Sequence, residues 1–124
     1  MERINWVEHK GKKILIIDYS DLKAPNDDEI YMATLKKAFE FVSNSSEKIR
    51  FLTNVTDADA NKERIAKLKE FAKFCKDNDK INKECVVGIT GIKKVLLKAI
   101  NAFARTNVVI KKTVEEGKEW LISE

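Results

Sequence analysis

Three short stretches hold most of the side chains able to do chemistry: Asp18-Tyr19-Ser20, Thr53-Asn54-Val55-Thr56-Asp57 and Gly88-Ile89-Thr90-Gly91. Each closes an apolar run and is therefore expected at the C-terminal end of a strand. In an open parallel sheet the loops diverge at those ends and helix N-termini point at a shared crevice. The carboxylates of Asp18 and Asp57, the amide of Asn54 and the hydroxyls of Thr56 and Thr90 would then face one polar ligand. Gly91 permits close backbone approach where a helix begins, and Lys93 and Lys94 fall in its first turn. Free backbone N–H groups beside two cations suit a phosphate or a carboxylate. The same residues also serve structure alone, with Thr90 capping the helix and the glycines allowing the turn. A lone Gly-x-x-Gly is far less specific than a full phosphate-binding loop.

Catalytic groupings are thin, and no catalytic residue, metal site or cofactor is assigned. His9 is the only histidine and falls on an edge strand among lysines, where a solvated ring is expected. Asp18, Asp57 and Asp59 could converge, but carboxylates beside strand ends also form caps and turns. Cys75 and Cys85 lie in a helical pattern and in a strand, without zinc or redox spacing, and read as reduced core residues. An enzyme would require Asp18, Asp57 and Thr90 to meet in a deep pocket with a strongly perturbed carboxylate.

The elements that must position these groups follow from periodicity. Ile4, Trp6 and Glu8 alternate with Asn5, Val7 and His9, predicting a strand with one buried face. Lys10-Gly11-Lys12 turns the chain into Ile14-Leu15-Ile16-Ile17, apolar on both sides, so an antiparallel hairpin with a deeper second strand is expected. Tyr31, Leu35, Ala38, Phe39 and Val42 mark a helix whose acidic start suits the positive end of the helix dipole. Ile49 to Asn54 is a third strand. A second helix from about Asn61 to Lys76 turns Ile65, Leu68, Ala72 and Cys75 inward, and Phe71 and Phe74 widen its apolar face. Those two rings either join the core or line a ligand cavity or dimer face.

Cys85-Val86-Val87-Gly88-Ile89 is apolar throughout, as in a strand covered on both faces, and leads into a helix carrying Ile92, Val95, Leu96, Ala99, Ile100 and Phe103 on one stripe. Outside that stripe Leu97 stands among Lys93, Lys94, Lys98 and Asn101. An apolar centre ringed by lysines suits an acidic partner or a membrane surface, so peripheral membrane contact stays open. Asn107 to Ile110 is a last short strand. Thr113 with Glu116 three residues on forms a capping box for a final helix held by Trp120 and Leu121.

Strands alternating with helices imply an α/β domain of about five strands, mixed but mainly parallel, with an N-terminal antiparallel hairpin and four packed helices. The length of 124 residues is one domain's worth, so residues 1–124 are read as a single unit. Net charge is +4, from 24 basic and 20 acidic residues spread along the chain rather than gathered on a face. Nucleic-acid binding is not expected from such a distribution. No apolar run reaches the roughly 20 residues of a membrane span, and the N-terminus lacks the apolar core of a secretory signal. A cytoplasmic location is expected.

The segments INWVEHKGKKILIIDYSDLK, FLTNVTDA, VVGITGIKKVLLKAI and TVEEGKEWL together resemble the STAS-like, or SpoIIAA-like, family of small bacterial and archaeal proteins. The resemblance runs nearly end to end. It implies a sheet of about five strands with packed helices and a role in binding rather than catalysis. Anti-sigma-factor antagonists of the wider group dock on a kinase and are switched by phosphorylation of a serine at a helix N-terminus. Here the corresponding loop reads Asn54-Val55-Thr56-Asp57-Ala58-Asp59-Ala60-Asn61, with neither serine nor glycine, so that switch is not carried over. Some STAS and Sec14-like proteins are associated with lipids or small molecules.

Two functions are therefore expected in competition. One is a non-enzymatic regulatory module that docks on a protein or on itself, as a dimer, through the helix bearing Leu97. The other is a carrier or sensor of a small anionic or amphipathic, lipid-like molecule held near Thr56, Thr90 and Gly91, with Phe71 or Phe74 against its apolar part.

Overall fold

The computed structural model describes residues 2–89, 98, 101 and 107–123. A five-stranded sheet runs in the order β1 (Ile4–His9), β2 (Lys12–Asp18), β3 (Ile49–Asn54), β4 (Ile81–Val87) and β5 (Val109–Lys111). β1 pairs antiparallel with β2, and every later pairing is parallel. This is the mixed, mainly parallel sheet with an N-terminal hairpin that the sequence predicts. Three helices are bounded among the described residues: α1 (Asp28–Asn44), α2 (Lys62–Asp77) and α3 (Val114–Ile122). The further helix expected over Ile92 to Phe103 lies outside the described residues, apart from Lys98 and Asn101, which are helical.

The hairpin loop is only Lys10-Gly11, with φ of 50° and 82°. Two successive positive φ values make the tight turn whose twist matches that of the flanking strands, and glycine takes the second at no steric penalty. Each strand then divides its side chains between two layers. On one face Leu15, Ile17, Ile49 and Phe51 pack under α1 and α2 with Tyr31, Leu35, Ala38, Val42 and Cys75. On the other face Ile14, Leu52, Cys85 and Val87 pack under α3 through Leu121. Coverage on both faces explains why β2 and the end of β4 read as continuous apolar runs.

Gly117 lets α3 sit low on that second face. A Cβ there would stand 3.1 Å from Cys85 Sγ and from Leu52 Cδ1. Half of the predicted capping box forms, with Glu116 N–H donating to Thr113 Oγ1 at 3.1 Å; the return bond is shifted by one residue, Glu116 Oε2 accepting from Lys112 N–H at 3.2 Å rather than from the N-cap.

Several details differ from the periodicity reading. Trp6, assigned to the buried face of β1, is 41% exposed, because β1 is an edge strand and only Ile4 at its start is buried in the core. Val7, on the opposite side, packs against the α3 cluster instead. β4 begins at Ile81, four residues ahead of the expected Cys85, and ends at Val87, since Gly88 takes φ 84° and leaves the sheet. His9 is not merely solvated: its Nε2 lies 3.0 Å from Glu119 Oε1, which also meets Lys10 Nζ at 2.8 Å. The hairpin turn is thereby tied to α3.

Candidate functional site

The polar groups at the ends of β2 and β3 do come together. Asp18 and Asn54 are register partners. Asn54 Oδ1 accepts from both the backbone N–H (3.1 Å) and the hydroxyl (2.7 Å) of Thr56, an Asx turn that folds the chain back on itself. Asp18 Oδ1 accepts from Ser20 N–H at 2.9 Å, while Arg3 Nη1 donates to the carbonyls of Asp18 and Ser20. Asp57 takes φ 56°, and its carbonyl accepts from Lys23 Nζ at 2.6 Å. Asp59 Oδ2 accepts from Ala24 N–H. These side chains hold loops together, the structural role open to them from the start. Thr90, Gly91, Lys93, Lys94 and Leu97 lie outside the described residues.

Gly88 closes the arrangement. A Cβ at this position would stand 2.1 Å from Thr56 Oγ1 and 2.7 Å from Thr56 Cα, so the end of β4 rests directly on the Thr56 turn.

Behind these loops, between α2 and the sheet, lies a pocket of about 130 Å³. Its wall is mostly hydrocarbon and ring: Phe51 of β3, Ile65, Leu68, Phe71 and Ala72 of α2, and Val86 of β4. Val55, Ala58 and Ala60 line it from the β3–α2 loop. Ile65, Leu68 and Ala72 are half-buried and line this space, and Leu68 also packs against the core. Of the two phenylalanines singled out by sequence, Phe71 lines the pocket. Phe74 instead packs on Phe39 at 5.2 Å between ring centroids. Phe71 is held edge-on by Phe39 at 5.0 Å and Phe51 at 6.2 Å.

Two charged residues at the pocket escaped the sequence reading. Arg64, on the first turn of α2, is 0% exposed. Its Nε and Nη2 donate to Asp28 Oδ1 at 3.0 and 2.7 Å; Nη1 donates to the carbonyls of Leu22 and Asp59, and Nη2 also to that of Lys23. A guanidinium has five N–H donors, and these contacts employ all of them. The group also lies 4.3 Å over the Tyr31 ring, which in turn stacks on Tyr19 at 4.5 Å. Burial pushes the Tyr31 hydroxyl pKa up, against the opposing pull of Arg64.

Glu84 of β4 lines the same pocket. Its Oε2 is buried without a hydrogen-bond partner among the described residues. Burial pushes its pKa from 4.5 up to about 7, against an opposing pull from Lys76. Glu84 lies one residue before the expected start of its strand. The available signal was a carboxylate next to Cys85 in a strand covered on both faces, which must turn toward one of the two layers. For Arg64 the signal was its position three residues after the N-cap Asn61, on the side of α2 that meets α1. Both cysteines are buried and unpaired, and burial pushes the Cys85 thiol up to about 11.

No protein-family model matches the chain, and no curated protein matches it. Among solved structures, an uncharacterized DUF3478-family protein with a SpoIIAA-like fold, from Shewanella loihica PV-4, is similar with a TM-score of 0.62. The match covers 95% of this chain and 91% of that one at 17% sequence identity. The chain therefore has the SpoIIAA-like α/β fold that its sequence resembles. At this identity the likeness speaks for architecture alone.

Proposed function

We propose that this domain works by binding, as a carrier or sensor that seats a small, largely apolar molecule between α2 and the sheet. The observation that carries this reading is the pocket of about 130 Å³ walled by Phe51, Leu68, Phe71 and Val86. A gap between packed side chains forfeits dispersion contacts, and an apolar cavity of comparable size takes up a ligand such as benzene. The pocket adjoins the ends of β3 and β4, where ligands of parallel α/β sheets gather.

A non-enzymatic, cytoplasmic role is part of the proposal and rests on the sequence. The carboxylates of Asp18 and Asp59 accept from neighbouring backbone N–H groups, which favours turn-forming duties. Docking on a protein partner or a second copy is compatible with the SpoIIAA-like fold. The face expected for it, around Leu97, lies outside the described residues, so the ligand reading has the stronger geometric support. No helix among the described residues is long and apolar enough to cross a membrane.

The test is native mass spectrometry on protein purified gently from its own host, with extraction of what travels with it. A discrete added mass per chain is expected, and the extracted compound should raise the thermal midpoint saturably. A chain that is always bare, and whose melting is moved by no apolar compound, would overturn the reading.

A further inference from the structure

The polar groups at the pocket restrict the kind of molecule it admits. Arg64 is the only cation lining it among the described residues, and its five N–H groups already serve Asp28 and the carbonyls of Leu22, Lys23 and Asp59. It has no donor left for an incoming anion. Among the described residues the wall also carries two carboxylic acids, Asp59 and Glu84, while burial keeps the Tyr31 hydroxyl and the Cys85 thiol protonated. A carboxylate or phosphate head would enter against negative charge, in a place where hydrocarbon walls keep screening weak. The anionic ligand expected from sequence is thus disfavoured here on charge.

Glu84 supplies the complementary feature. Its Oε2 is buried without a partner among the described residues, and an unsatisfied buried acceptor gains most from any donor brought to it. From α2, Cys75 and Lys76 act electrostatically on Glu84 or are acted on by it, but the Cys75 thiol is held neutral by burial and Lys76 is exposed.

Resting on the pocket reading above, we infer that the ligand is a small aromatic or aliphatic molecule bearing one hydrogen-bond donor, a hydroxyl or an amine, which it gives to the Glu84 carboxyl. The hydrocarbon body fills the space beside Phe71 and Leu68, and a turn of the Glu84 carboxyl brings Oε2, which is closed to a water-sized molecule in the structure, to the donor.

Four probes of matched size separate the possibilities: benzyl alcohol, benzylamine, toluene and benzoate. Each is titrated into the isotope-labelled chain at pH 8, above the Glu84 pKa, with amide shifts of pocket residues as the readout. Benzyl alcohol and benzylamine should bind about tenfold or more tightly than toluene, and benzoate most weakly. In Glu84→Leu that preference for donors should collapse toward one. Glu84→Gln, of nearly the same shape, should keep the alcohol and lose most of the advantage of the amine. Equal binding of toluene and the two donors, unchanged in either variant, would overturn the donor preference and leave the apolar pocket standing. Benzoate as the tightest probe would overturn it as well. Absence of any shift with all four would overturn the pocket reading and this inference together.

Discussion

A carboxyl group placed against a hydrocarbon wall leaves a signature in stability. Folding raises the Glu84 pKa from 4.5 to about 7, so the folded chain retains a proton that the unfolded chain has lost. The native state then binds more protons between those values, and stability falls as pH rises from about 4.5 to about 7, levelling above. The penalty at full ionisation is roughly 3 kcal/mol at most. Glu84→Gln should lack this slope and be the more stable protein at pH 8, while near pH 4 the two should unfold together. Urea titrations of both across that range measure it, and their difference removes contributions common to the two proteins, such as that of Glu119. Arg64 calls for the opposite outcome. Removing it takes the charged donor from Asp28 and from three carbonyls, of which those of Leu22 and Lys23 keep a backbone N–H, so Arg64→Met should lower stability by about 3 kcal/mol. Arg64→Lys should recover only part, since an ammonium has too few donors to replace the fork.

The close fit at the ends of elements constrains two glycines for different reasons. At Gly88, φ is 84° and the backbone of Thr56 occupies the space of a Cβ. Gly88→Ala should therefore cost more than the 1–2 kcal/mol or so of a left-handed residue alone, and it should disturb the Val55 to Ala60 wall of the pocket. At Gly117, an added methyl gains about 1 kcal/mol of helix propensity but meets Cys85 and Leu52 at 3.1 Å. Gly117→Ala should come out near neutral, whereas Gly117→Val should lose about 2 kcal/mol by pushing α3 off the sheet. Equilibrium unfolding ranks the three, and a stable Val variant would mean that α3 sits less tightly than described. At this scale the sequence was informative: the N-cap of α3 and the hairpin depend on neighbours a few residues apart, and the alternation of strands with helices implied the mainly parallel sheet.

For the molecule as a whole, the pocket between α2 and the sheet is space that a larger side chain can take up. Ala72→Leu adds hydrocarbon from α2 into that space at a helix-compatible position. It should raise stability by about 1 kcal/mol and weaken probe binding at the same time. A variant that stabilises yet binds the probes as before would show that they sit elsewhere.

What the sequence by itself determined is the set of elements and their handed connection into an α/β layer structure, because helix and strand periods and caps are written in local spacing. It also grouped Asp18, Asn54, Thr56 and Asp57, since the ends of adjacent parallel strands must meet. The tertiary structure alone decided that β1 to β5 lie side by side in chain order, that Trp6 stays exposed on an edge, and that Phe71 but not Phe74 borders a space. It also decided that Glu84 Oε2 is left without a donor among the described residues while Arg64 has every donor engaged. Each of these depends on which distant segment covers a given side chain. Burial and hydrogen-bond satisfaction are properties of the packed layers, and no local pattern of residues carries them.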